Sequence, residues 1–318
     1  MTLPGAILIE RRALRGTSRS LSALTISVDP PAVAPPAADA RIVALLRRAR
    51  EHGVTNFDVA RARFPERAET LIATAFPVPD PELSVIVGRS IESLARERPP
   101  EDEPTSGETL TKALEASVKQ SRRRLRGTPI SILEWDTEAG DSFEGREDSE
   151  RLGPTSGTDP DLLWAVRVPA GGTVLPRTDH TPALFSGEFS LLEQGLASLF
   201  ERTDPNMGTG IIARDPFSDG RLDGSRFAAV GTPGGPEDRP VDLRRLHREF
   251  EPILRLRFLT EGRRRTLAQA AVRFVLGWPW VVTCVIPLPT PERFEEILGY
   301  GSAPAISDEE LTRLGLVK

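Results

Sequence analysis

The feature that most limits what this chain can fold into is an alternation. Short, nearly continuous apolar runs are separated by stretches with helical periodicity. Leu24–Val28, Thr55–Val59, Ser84–Gly88, Ile130–Trp135, Leu163–Val168, Pro182–Phe185, Gly210–Ala213 and Val281–Ile286 read as strands. Helical patterns cover 38–51, 66–75, 109–125, 191–202, 243–259, 266–276 and 291–298. Strands that are apolar on both faces and follow helices in this rhythm form a parallel sheet covered on both sides. About eight such units predict an α/β fold of the closed (β/α)8 TIM-barrel type.

Length agrees with this reading. The 318 residues would fill two domains of ordinary size, or one barrel of about 250 residues with insertions. No composition break divides the chain, which favours a single barrel over 1–318. Gly-, Pro- and acid-rich stretches predict long loops near 99–108, 136–160 and 215–240.

The inventory excludes several chemistries. With 39% apolar and 27% charged residues the chain has enough material for a core. A net charge of -5 argues against a nucleic-acid partner, whose phosphates need a basic face. One cysteine, Cys284, leaves no internal disulfide and no thiolate zinc cluster. The three histidines, His52, His180 and His247, are far apart, so no metal site is expected. Of 41 basic residues only Lys112, Lys119 and Lys318 are lysines, and Tyr300 is the only tyrosine. No targeting segment or run of about 20 apolar residues stands out. A cytoplasmic protein with no membrane partner is therefore expected.

Three stretches resemble the aldo/keto reductase superfamily. They are Gly53–Ala60, Gly210–Gly224, and Thr266–Leu276 continued through Val282–Pro287 and Thr290–Arg293. Weaker echoes lie at Arg124–Asp136 and Gly187–Leu192. The resemblance implies a TIM barrel and an active site built from Asp, Tyr, Lys and His. Asp58 matches the Asp. The Tyr position falls on Arg63, beside Phe64, the Lys position on Arg89 and the His position on Asp136, with Glu134 of the same strand parity. The tetrad is thus degenerate, lacking Tyr, Lys and His.

The cofactor positions that the resemblance implies are also altered. Pro169, Ala170 and Ser186 fall where the nicotinamide would be held, Asp215 where a serine meets the pyrophosphate, and Leu288 and Ile297 on the adenosine side. Gly220, Gly224 and Arg293 remain as vestigial binding candidates. The expectation is weak or absent dinucleotide binding, hence no cofactor, with NADP as the alternative.

Without a phenol, proton transfer falls to carboxylates. The expected catalytic residues are Asp58, Arg89, Glu134 and Asp136. Asp58 and Arg89 would pair and meet Asp136 or Glu134 at one mouth of the barrel. Arg63, Phe64 and Trp135 would bind a small substrate, possibly anionic. The first functional expectation is cofactor-independent acid/base chemistry of a lyase or isomerase kind, such as dehydration, isomerisation or cyclisation in specialised metabolism. A divergent NADPH-dependent oxidoreductase and a non-catalytic scaffold or ligand sensor are the alternatives.

Overall fold

Eight parallel strands close on themselves. In this computed structural model, residues 8–14, 17–90, 93–94, 107–136, 162–172, 183–201, 210–227 and 243–316 are described. A short antiparallel hairpin comes first, β1 (Arg11–Ala13) with β2 (Ser20–Ser22). The barrel strands are β3 (Leu24–Ser27), β4 (Asn56–Asp58), β5 (Ser84–Arg89), β6 (Ile130–Trp135), β7 (Leu163–Arg167), β8 (Leu184–Glu188), β9 (Gly210–Arg214) and β10 (Val281–Pro287). Each pairs with its neighbour in chain order, and β10 returns to β3. The (β/α)8 barrel expected from the alternation is therefore the fold.

The helices are α1 (Pro36–Glu51), α2 (Pro65–Ala75), α3 (Gly107–Leu125), α4 (Gly195–Glu201), α5 (Leu243–Arg255), α6 (Leu267–Leu276), α7 (Pro291–Leu298) and α8 (Asp308–Arg313). Their starts follow local chemistry. Thr266 and Ser307 build capping boxes with Gln269 and Glu310. Thr290 caps α7 ahead of Pro291, whose missing N–H costs nothing at a first turn. Of the loops expected near 99–108, 136–160 and 215–240, residues 99–106, 137–160 and 228–240 lie outside the described residues, as does His180, while 107–108 begin α3 and 215–227 follow β9.

Strand parity sorts side chains into two cores. Ile86, Ile132, Ala165, Leu184, Ile212 and Val285 fill the barrel interior, closed below by Leu14 and Leu21 of the hairpin. Val85, Val87, Leu133, Trp135, Trp164, Val166 and Ala213 face outward and pack with the helices. A polar layer sits inside: Thr25 and Thr283 share a 2.7 Å hydrogen bond, and Asn56 donates to Thr25. The hairpin is fastened by Arg12, which donates to the Leu276 and Val281 carbonyls at 2.6 and 2.8 Å.

No described helix is long and apolar enough to cross a membrane.

Candidate active site at the C-terminal mouth of the barrel

In β/α barrels the reacting groups stand at the C-terminal ends of the strands. Inward parity there selects Asp58 on β4, Gly88 on β5, Glu134 on β6, Ser186 on β8 and Arg214 on β9. The organising residue is Arg214, the last of β9. Its Nη1 and Nη2 donate to the two oxygens of Asp58 at 3.0 and 2.8 Å. Its Nε and Nη2 donate to Oε2 of Glu134 at 3.1 and 2.6 Å, and Nε also reaches Ser186 Oγ at 2.7 Å. All three charged side chains are at most 4% exposed. Burial works against the Arg214 charge, but Asp58 and then Glu134 outweigh it and raise its pKa above the ordinary arginine value. Arg214 is a fixed cation.

The two carboxylates differ in what Arg214 leaves them. Both oxygens of Asp58 are engaged, and Oδ1 also accepts the Ala60 N–H at 3.4 Å. Both Arg214 bonds to Glu134 land on Oε2, so among the described residues Oε1 takes no hydrogen bond.

The expected pair of Asp58 with Arg89 is not formed. Arg89 has outward parity and lies under α3, donating to Ser117 Oγ at 2.5 Å and Ser121 Oγ at 2.6 Å. The inward position is Gly88, and a Cβ there would sit 2.2 Å from the Ala60 carbonyl oxygen. The backbone after β4 occupies the space a long side chain from β5 would need. The mouth's cation therefore comes from the opposite wall, on β9.

Other expected residues divide similarly. Asp136 is at the rim, paired with Arg167 at 2.6 and 2.9 Å. Trp135 does not line the mouth: it faces outward, buried, stacked on Trp164 with ring centroids 5.9 Å apart. Arg63 is held by Asp29 through its backbone N–H and side chain, tying the loop after β3 to the loop after β4. Phe64, half-exposed, starts α2. Tyr300 packs in the outer core under Arg273, away from the mouth, and burial raises its pKa. Among the described residues no group of His, Cys, Asp and Glu could hold a metal ion.

Arg214 and Arg167 are not among the site residues expected from the sequence. The signal for Arg214 was available: a charge ending an apolar strand on the same parity as interior Ile212.

Beside this mouth, β9 runs into a strained turn. Asp215, Ser218 and Asp219 all have φ between 50° and 57°, followed by Gly220 at 75°, where side chains other than glycine's are disfavoured. The Asp215 carboxylate accepts the Asp219 N–H at 2.8 and 3.0 Å. Burial pushes its pKa up to about 6; the Asp219 N–H opposes this, while Glu188 and Asp219 add to it. The turn opens onto a cavity of about 300 Å³ lined by Arg221, Leu222, Asp223, Gly224, Leu267 and Arg293, among others. A Cβ on Gly224 would meet nothing within 4 Å. A second cavity, about 150 Å³, lies between the loops after β7 and β8, lined by Pro169, Ala170, Gly187 and Glu188. Leu222, Leu267 and Ala268 give apolar wall that suits a base, and Arg221 and Arg293 bring guanidinium groups for a phosphate, Arg293 being paired with Glu296 and 3.9 Å from Asp223. Both cavities are lined by loops that follow barrel strands, where the two ends of a dinucleotide could lie. The residues present thus fit such a cofactor at the Arg221–Arg293 end.

No protein-family model matches the sequence, and no curated protein does. Solved structures do match. An aldo-keto reductase from Bacillus halodurans, in its holo form, superimposes with a TM-score of 0.63 at 15% identity, covering 96% of this chain and 95% of that one. Its apo form gives 0.61 at the same identity and coverage. A glycerol dehydrogenase from Gluconobacter oxydans gives 0.65 at 16% identity, covering 96% and 94%. The expectation of a barrel without a cofactor is corrected by this comparison, since a neighbour alike over nearly its whole length is a holo protein. Of the altered positions on which that expectation rested, Asp215, Leu288 and Ile297, none lines the larger cavity, and Ile297 is buried in the outer core. By its strand order, closure and near-complete superposition, the chain has the fold of the aldo-keto reductases.

Proposed function

We propose that this protein is a nicotinamide-dependent oxidoreductase acting on a small carbonyl compound or the matching alcohol, with a rebuilt proton-transfer site. The observation that carries the reading is the Arg214 arrangement: a buried, permanent cation across the mouth, with one carboxylate wholly engaged and the other holding one open oxygen. A bound nicotinamide would supply the hydride. Arg221, Gly224 and Arg293 would hold its adenosine-phosphate end.

The remaining chemistry belongs to the chain. A carbonyl oxygen that gains negative charge is stabilised by a fixed cation in a water-poor site. Arg214 supplies that charge but holds its own protons too tightly to give one away. Glu134 Oε1 is the oxygen that takes the proton of an alcohol or returns it to an alkoxide. Asp58 is a positioning residue, since its bidentate grip aims the guanidinium. Non-redox acid/base chemistry has weaker support, because neighbours of the same fold are a reductase and a dehydrogenase.

The reading is tested by titrating the protein with NADPH and NADH, following tryptophan fluorescence or heat. A micromolar dissociation constant, about -8 kcal/mol, is expected for one of them. No binding of either tighter than about 1 mM would overturn the reading.

A further inference from the structure

Among the described residues, Arg61, Arg167 and Arg214 bring guanidinium groups to the mouth, and they differ in how they are satisfied. Arg214 is bound to Asp58 and Glu134, and Arg167 to Asp136 through both oxygens. Arg61, on the loop after β4, is different. Among the described residues it forms no hydrogen bond, and its nearest carboxylate, Glu188 on β8, stands 3.9 Å away. It is 38% exposed, against 16% for Arg167 and 4% for Arg214. It nonetheless belongs to the mouth. Partial burial, then Arg167 and Arg214, lower its pKa, while Glu134 and Asp136 act the other way. Its guanidinium thus sits where neighbouring cations and lost water disfavour its charge, with its donors unspent.

Such a group gains from an incoming anion more than a surface arginine does. A carboxylate or phosphate arriving from solvent would receive a forked pair of N–H donors and would relieve the repulsion from Arg167 and Arg214. Glu188, itself one-third exposed and too distant for a hydrogen bond, is a loose counter-charge. Glu188 also lines the smaller cavity, so Arg61 lies within ion-pair reach of a residue in its wall.

Resting on the oxidoreductase reading, we propose that the substrate is an anionic carbonyl compound or alcohol, carrying a carboxylate or phosphate that Arg61 binds. Arg63, already held by Asp29, takes no part.

The test uses 4-carboxybenzaldehyde and its methyl ester, which differ in charge and little in shape. Binding to the full-length protein is measured by calorimetry in the presence of the oxidised form of the nucleotide that binds best, which cannot reduce the aldehyde, or without one. The carboxylate is expected to bind at least tenfold tighter than the ester. Arg61→Gln should reduce that ratio to near one, Arg61→Lys should keep part of it, and Arg63→Gln should keep all of it. Arg61 is partly exposed and unbonded, so these variants should fold; near-ultraviolet circular dichroism checks that they do. Equal binding of the two compounds, binding of neither, or a preference that survives Arg61→Gln overturns the proposal. If nucleotide binds the unaltered protein while the carboxylate preference is missing, only the substrate class is wrong. If nucleotide fails to bind as well, the oxidoreductase reading falls with it.

Discussion

Arg214→Met is expected to destabilise the barrel by about 3–5 kcal/mol, the usual result of removing one partner from a buried ionic group. The reason is what the variant leaves behind. Asp58 and Glu134 are 0% and 2% exposed, and Arg214 is their shared counter-charge. Without it two like charges face each other out of water. The loss should be recovered in large part by replacing all three residues with apolar ones, for example Asp58→Leu, Glu134→Met and Arg214→Met together, because no buried charge then remains to be compensated. Urea denaturation of the single and triple variants reads both effects. A loss below about 1 kcal/mol for Arg214→Met would mean that the triad is already reached by water.

The second large effect is on turnover. Glu134→Gln keeps the length and shape of the side chain and can still accept from Arg214, but it cannot carry a proton. A fall in kcat of about 10²-fold or more is expected, the ordinary contribution of a positioned acid or base, with KM little changed. Asp58→Asn should act through Arg214 instead. It replaces one accepting oxygen with an NH2 that faces a guanidinium, so the cation loses its aim. Its signature is a loss of both stability and kcat to which a further Arg214→Met change adds less than it does in the unaltered protein, because the two residues are directly bonded and only Glu134 then remains uncompensated. Glu134→Gln with kcat within twofold of the unaltered protein would remove Glu134 from the chemistry.

The barrel was readable in the sequence because its strands are apolar on both faces and its helices are amphipathic, two periods that cannot be confused over eight repeats. The hairpin was not, since Arg11–Ala13 and Ser20–Ser22 are three residues each and hold too little pattern. The site was only half readable. Asp58 and Glu134 lie on the mouth because their parity is fixed by the strands they end. Arg89 was misassigned by a single residue, and in a strand one residue is the difference between the two faces. Trp135 fails for the same reason, facing the helices with Val87 and Leu133. Arg214 escaped because its role depends on a contact across the barrel, 156 residues away in sequence to Asp58 and 80 to Glu134. The inward parity of Arg214 was legible in β9 itself; its partners, on other strands, were not. The occlusion at Gly88 is equally non-local, arising from the path of the chain at Ala60.

Whether hydride moves through this barrel, as proposed, is decided by isotopic labelling. The protein is incubated with NADPH or NADH deuterated at both C4 positions and with 4-carboxybenzaldehyde, and the product is examined by mass spectrometry. The expected product is the corresponding alcohol bearing one deuterium on its carbinol carbon, formed in step with loss of the reduced nucleotide and not formed by Arg214→Met. Aldehyde and nucleotide both left unchanged by concentrated protein, or an alcohol without the label, would contradict it.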